Sequence, residues 1–202
     1  MTAIIDYQMG NLASLANSLA KIGAKAKVAR TSDDLKGCDR LILPGVGAFG
    51  DAAAHLRSSG MDEAIKSFAH GGGYVLGVCL GLQILFSSSE ESPDAIGLGL
   101  LEGKVTRFDA AKAAHKIKIP HMGWNELRFE RSSKLFAGVA DRSRLYFVHS
   151  YHILLPNALA TTFYGYEFAS AIEQENIFAI QPHPEKSHET GLKILSNFVK
   201  MR

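Results

Sequence analysis

The 202-residue chain predicts an α/β fold, an open, mainly parallel (mixed) sheet flanked by helices, over a single domain 1–202. Short unbroken apolar runs recur through the first half, helical periodicities separate them, and glycine or proline stops most of them. Ala3-Ile4-Ile5-Asp6 is the first strand. Asn11 is placed to cap a helix whose apolar positions Leu12, Leu15, Leu19 and Ile22 recur every three or four residues until Gly23. Lys25 to Ala29 reads as a second strand and Arg40-Leu41-Ile42-Leu43 as a third, stopped by Pro44-Gly45. Helical segments run from about Asp51 to His70, and Tyr74 to Val78 forms a buried strand followed by a helix over Leu80–Phe86. Beyond Gly97 strands follow more closely, at Val105–Phe108, Leu145–Val148 and Thr161–Tyr164, with two more up to Ile180. A last helix covers Glu189 to Lys200.

Composition narrows the class. A chain of this length with 47% hydrophobic residues can bury a full core. Its net charge of +2 is scattered, with no basic run or interleaved aromatics, which argues against nucleic acid as a partner. Two cysteines, Cys38 and Cys79, cannot build a disulfide scaffold and lack metal-site spacing, so no metal and no cofactor is expected. No stretch approaches a membrane span, and Met1-Thr2-Ala3 runs straight into the first strand. The expectation is a cytoplasmic domain that does not bind membranes.

Gly77-Val78-Cys79-Leu80-Gly81 places a cysteine between two glycines where a strand gives way to a helix. A nucleophile on so sharp a turn needs a strained backbone and nearly side-chain-free neighbours, as in the G-x-S-x-G elbow of hydrolases. The sulfur also falls at a helix N-terminus, where the dipole favours thiolate. A small buried cysteine that only packs would fit those five residues equally well. The far end of the chain separates the two readings. Gln181-Pro182-His183-Pro184-Glu185-Lys186 follows an apolar strand and supplies a base and an orienting acceptor two residues apart. If the prolines hold this segment extended, His183 and Glu185 leave the same side, so Glu185 steadies one ring nitrogen while the other faces sulfur.

Gly45-Val46-Gly47-Ala48-Phe49-Gly50 also matches the dinucleotide-binding pattern G-x-G-x-x-G. It follows the third strand rather than the first, Pro44 stiffens its entry, and no suitably placed acidic residue follows. Beside a cysteine nucleophile, an oxyanion hole built from backbone N–H groups is the better use of such a loop.

With these residues in place, the chain resembles the class I, triad-type glutamine amidotransferases from end to end. Within that group Asp6-Tyr7-Gln8-Met9-Gly10-Asn11-Leu12, Leu43-Pro44-Gly45-Val46-Gly47, His121-Met122-Gly123-Trp124-Asn125 and Phe147-Val148-His149-Ser150-Tyr151 look like the glutaminase subunits of imidazole glycerol phosphate synthases. Gln8 departs from the pattern, where such chains commonly carry glycine, and should alter the loop rather than the chemistry.

The resemblance implies hydrolysis of L-glutamine at Cys79, with ammonia passed to a (β/α)₈-barrel cyclase subunit of the histidine pathway. It assigns Cys79, His183 and Glu185 as the triad and the N–H groups of Leu80 and the Val46–Gly47 peptide as the oxyanion hole. It gives Gln83 and Glu91 to the α-amino and carboxylate end of glutamine, with backbone from Ser150 and Tyr151. By composition alone Gln83 is as well a buried amide, and Glu91 belongs to a solvated loop. Trp124, Tyr146, Lys186, Asn11 and Ser14 fall, by resemblance, at the contact with the barrel. His149 has no assigned role, and Cys38, His55, His70, His115 and His188 show no partner pattern. Two other readings stay open at this point: a paralogous glutaminase feeding another synthase, such as surface-sugar amidination, and a binding module that keeps the fold without turnover.

Overall fold

A computed structural model describes residues 1–9 and 12–201; Asn11, named above as a helix cap and a contact residue, lies outside them. In chain order the elements are β1 (Thr2–Ile5), α1 (Leu12–Lys21), β2 (Ala26–Ala29), β3 (Arg40–Leu43), α2 (Phe49–Ser58), α3 (Met61–His70), β4 (Tyr74–Val78) and α4 (Leu80–Ile84). They continue with β5 (Phe86–Ser89), β6 (Leu101–Arg107), β7 (His121–Glu126), β8 (Arg128–Phe129), β9 (Arg144–His149), β10 (Tyr151–Ile153), β11 (Ala160–Phe163), β12 (Glu167–Gln174), β13 (Ile177–Ile180) and α5 (His188–Lys200).

The main sheet runs β2-β1-β3-β4-β13-β12-β10-β6-β5, with β11 and β8 joined at β12, while β7 and β9 form a separate antiparallel pair. Strands β2, β1, β3, β4 and β13 are mutually parallel. From β12 through β10 to β6 the pairings are antiparallel. The parallel strands are apolar on both sides, as burial under two helical layers requires. Ala3, Ile5, Leu41, Leu43, Val75 and Ala179 face Phe49, Leu56, Met61 and Ile65 of α2 and α3. The alternate residues Ile4, Ile42, Leu76, Val78 and Ile180 face Leu15 and Leu19 of α1 and Ile194, Leu195 and Phe198 of α5.

Two expectations are corrected. The helix after the cysteine ends at Ile84, and Phe86–Ser89, read from composition as helix end and solvated loop, is strand β5 paired parallel with β6. Gly97 lets a second backbone lie against this turn, since an added Cβ there would come within 2.0 Å of the Phe86 carbonyl oxygen. The Pro184–Lys186 segment is not extended but forms a 3₁₀ turn beginning directly after His183.

Candidate active site

Strand β4 ends in Cys79, whose φ of 54° and ψ of −106° place a non-glycine residue in strained backbone at the mouth of α4. Close packing explains the two glycines. A Cβ on Gly81 would sit 1.8 Å from the Leu43 carbonyl oxygen, and one on Gly77 would sit 2.5 Å from the Gly81 oxygen. With β3, β4 and α4 drawn together in this way, Sγ is turned toward Val148 O at 3.9 Å and accepts from Gln181 Nε2 at 3.6 Å. Cys79 is 6% exposed.

His183 follows β13, the strand next to β4, so the two C-terminal ends deliver nucleophile and imidazole side by side. Its Nδ1 lies 2.7 Å from Glu185 Oε1, a contact the 3₁₀ turn makes by folding the carboxylate back over the ring. Among the described residues Nε2 makes no well-formed hydrogen bond, and the Cys79 sulfur is the group it interacts with. Burial disfavours the charged ring, but the negative charge of the Cys79 sulfur and the Glu185 carboxylate overrides it and raises His183 to about 10. The backbone is held too. His183 N–H donates to Tyr146 O at 2.8 Å, and Ser187 Oγ both accepts from Tyr146 N–H and donates to His183 O.

The 44–47 loop lies beside the elbow, with Gly47 at φ 120°. Two residues that the sequence reading passed over seat it. The buried Tyr7 hydroxyl donates a short hydrogen bond to Pro44 O. Burial and then the Cys79 charge push that phenol well above its ordinary range, so it remains a donor. Met9 packs under Gly47, where an added Cβ would come within 2.2 Å of the Met9 methyl carbon. Between them Gln8 takes φ 64°, the left-handed conformation that glycine adopts without strain, and its N–H donates to Asp6 Oδ1 at 3.1 Å.

Val46, Gly47, Leu80, Gln83, Glu91, Ser150 and Tyr151 all line one cavity of about 300 Å³ with Cys79 at its wall; Pro120, Val148 and His149 complete it. Gln83 Nε2 donates to Tyr151 O at 3.1 Å. Glu91 Oε2 accepts from Phe49 N–H at 2.7 Å, so this carboxylate closes the N-terminus of α2 while its residue borders the cavity. A wider groove of about 680 Å³ between α1 and α5 brings Lys21, Glu189 and Lys193 together but no cysteine or histidine.

Trp124, Tyr146 and Lys186 are gathered on one exposed face. Trp124 stacks on His188 with ring centroids 5.0 Å apart, meets Tyr146 edge-on at 6.1 Å, and Lys186 Nζ lies 5.8 Å from the Tyr146 ring centre. Ser14 is half-buried on α1, which packs beside the 184–186 turn. His188, set aside from sequence, belongs to this cluster. Among the described residues no group of three or more His, Cys, Asp or Glu could hold a metal ion, and no helix is long and apolar enough to cross a membrane.

Residues 3–201 match the family "Glutamine amidotransferase class-I". Subunit HisH of imidazole glycerol phosphate synthase from Sulfurimonas denitrificans is 55% identical over 100% of this chain and 99% of its own length. The proteins of the same name from Wolinella succinogenes and Bacillus subtilis are 48% and 43% identical, each over 100% of this chain and over 100% and 96% of their own lengths. Among solved structures, "Structure of PurLQS from Thermotoga maritima" aligns with a TM-score of 0.76 at 21% identity over 98% of this chain and 96% of the other, a likeness of fold.

Proposed function

The chain belongs to the class I glutamine amidotransferases, and from that premise we propose that it is the glutaminase subunit of an imidazole glycerol phosphate synthase. The observation that carries the proposal is the convergence of Cys79, on its strained elbow, with the buried His183–Glu185 pair beside a cavity sized for one amino acid. Cys79 thiolate attacks the carboxamide carbon of L-glutamine, and a thioester forms as the C–N bond breaks. The His183 imidazolium protonates the departing amine, giving ammonia. His183, steadied by Glu185, then takes a proton from water that hydrolyses the thioester to glutamate and frees the sulfur.

The N–H groups of Leu80 and of the Val46–Gly47 peptide stabilise the tetrahedral oxyanion, with roughly 2.7–4 kcal/mol resting on each such donor. Gly47 gives the second peptide freedom to turn, so its N–H faces the oxyanion when the partner is bound and turns away in the lone chain. Gln83 and Glu91, with backbone of Ser150 and Tyr151, hold the amino-acid end of the substrate. Ammonia passes to a (β/α)₈-barrel cyclase that docks on the Trp124, Tyr146 and Lys186 face.

Purifying this chain with such a cyclase tests the proposal. Cys79→Ala should abolish glutamine-dependent synthesis while synthesis from added ammonium salt continues. Equal loss of both activities would overturn the division of labour.

A further inference from the structure

The aromatic region behind the cavity buries His121, His149 and His152 outside the triad, and His121 on β7 and His149 on β9 stand directly opposite each other in the antiparallel ladder. Their ring nitrogens meet, His121 Nδ1 to His149 Nε2, at 3.0 Å. The hydrogen positions follow from the groups at the two ends of the chain. His149 Nδ1 lies 2.7 Å from Tyr151 O, and a carbonyl only accepts, so His149 carries its proton on Nδ1 and offers a lone pair at Nε2. His121 must then donate from Nδ1 and keep a lone pair on Nε2. At the other end the Asn125 amide is fixed independently: its Oδ1 accepts from Glu126 N–H at 2.8 Å and its Nδ2 donates to Phe163 O at 2.9 Å. That Nδ2 lies 3.2 Å from His121 Nε2, which is the acceptor the first argument requires.

Both ends give one direction: Asn125 to His121 to His149 to the Tyr151 carbonyl. The same carbonyl accepts from Gln83 Nε2 in the substrate cavity. Gln83 Nε2 in turn lies 3.5 Å from Gln181 Oε1, and Gln181 donates to the Cys79 sulfur. Packing holds the rings in place, with His121 stacked between Tyr164 at 4.0 Å and Phe147 at 4.8 Å. Burial keeps both rings neutral, holding His121 down to about 4 and His149 well below the usual histidine range.

We propose that Asn125, His121 and His149 form a polarised positioning relay that fixes the 148–151 wall and the Gln83 amide of the substrate cavity. They are positioning residues, for none lies at the reacting sulfur. His121 and Asn125 lie on the inner face of β7, whose outer face exposes Met122 and Trp124. The strand that carries the surface anchor therefore also carries the start of the relay. This inference rests on the glutaminase reading above for its kinetic consequence but not for its proton positions.

Imidazole nitrogen-15 spectra of the full chain at neutral pH test the proton positions directly. Both rings should be neutral Nδ1–H tautomers, the opposite of the form that free histidine side chains favour, with His121 assigned by loss of its signals in His121→Phe. An Nε2–H tautomer or an imidazolium at either ring overturns the relay, whatever reaction the protein performs. In the complex with the cyclase, His121→Phe should raise KM for glutamine about tenfold, the scale of one lost buried hydrogen bond, with kcat within about twofold. Ammonia-dependent synthesis should not change. His121→Asn keeps a donor near the Nδ1 position and should recover most of the loss. An unchanged KM in His121→Phe, or an Asn variant as impaired as Phe, overturns the positioning role. A wild-type complex without glutaminase activity would instead refute the glutaminase reading and leave the spectra to decide the relay.

Discussion

Strands β4 and β13 lie side by side and parallel, and their C-terminal ends present Cys79 and His183. Strands β9 and β10, across the cavity, belong to the antiparallel half, and their junction presents Val148, His149, Ser150 and Tyr151. The buried stretches of β4 and β13 carry no polar side chain apart from the half-buried Tyr74. The facing region buries His121, His149, His152, Thr162 and Ser170. An apolar parallel sheet can hold two reacting groups in fixed register because nothing in it competes for hydrogen bonds. The opposite wall must recognise a polar substrate and is built, His152 excepted, from polar groups that satisfy one another. The two halves are joined where Tyr146 of β9 pairs with His183.

The largest effect expected lies in the parallel half. His183→Ala should lower glutaminase turnover about 10³-fold or more, within the range of general acid–base contributions. Glu185→Gln, which keeps an acceptor for Nδ1, should cost about 10²-fold. Both are read as ammonia release by the complex. A Glu185 variant more impaired than the His183 variant would mean that the carboxylate does more than orient the ring. The same ion pair has a pH signature. His183 is raised above its unfolded value, so its contribution to stability is complete below about pH 6.5 and is lost as pH rises toward about 10. Denaturant melts of wild type and His183→Gln should converge across that window.

Next is the elbow's packing. Gly81→Ala drives a methyl into the Leu43 carbonyl, so it should destabilise the chain by about 3 kcal/mol, the upper part of the overpacking range. Urea melts measure it, and a loss under 1 kcal/mol would show that β3 and α4 can part. Trp124→Ala acts on the other half and at the surface. It should weaken binding of the cyclase about 30-fold, a loss of ~2 kcal/mol typical of an aromatic anchor, while the isolated chain keeps its melting midpoint. Titration calorimetry with unchanged affinity would remove Trp124 from the contact.

The same contrast governs what could be read from sequence. Ile4, Leu41, Val75 and Phe178 stand in apolar runs whose period and burial leave one reading, and each run ends where a site residue begins. At Leu85-Phe86 the run stays apolar as helix becomes strand, so periodicity could not find the boundary; the approach of Gly97 sets it. The sequence brings Glu185 to His183 through an extended segment, whereas in the structure a 3₁₀ turn makes the contact. Tyr7, Met9 and Gln181 stand in motifs that the sequence shows, but their tasks are hidden from local pattern, because each acts on a loop or sulfur far along the chain. Asp-Tyr-x-Met directly after the first strand was the available clue. The histidine relay needs the β7–β9 ladder before its two rings are even neighbours.

The smallest effect isolates a histidine that the relay does not use. His152 is 1% exposed, its ring lies stacked 4.3 Å from Phe108, and among the described residues neither ring nitrogen makes a well-formed hydrogen bond. Burial holds it down to about 4, opposed by the Thr106 backbone and the Glu90 carboxylate and reinforced by Lys112. A histidine depressed in this way contributes stability that is complete above its unfolded value near 6.5 and is lost as pH falls through about 4. His152→Phe keeps the stack and removes two unsatisfied nitrogens, so near pH 7.5 it should stabilise the chain by about 1 kcal/mol. The advantage over wild type should widen steadily from pH 6.5 down to pH 4, because the variant has no ring there to protonate. His121 and His149 remain in the variant, so acid should still destabilise it, only less steeply. A constant difference between the two melts across that range would mean that His152 is already neutralised by a partner in the wall, and that the antiparallel half satisfies its polar groups more completely than its hydrogen bonds indicate.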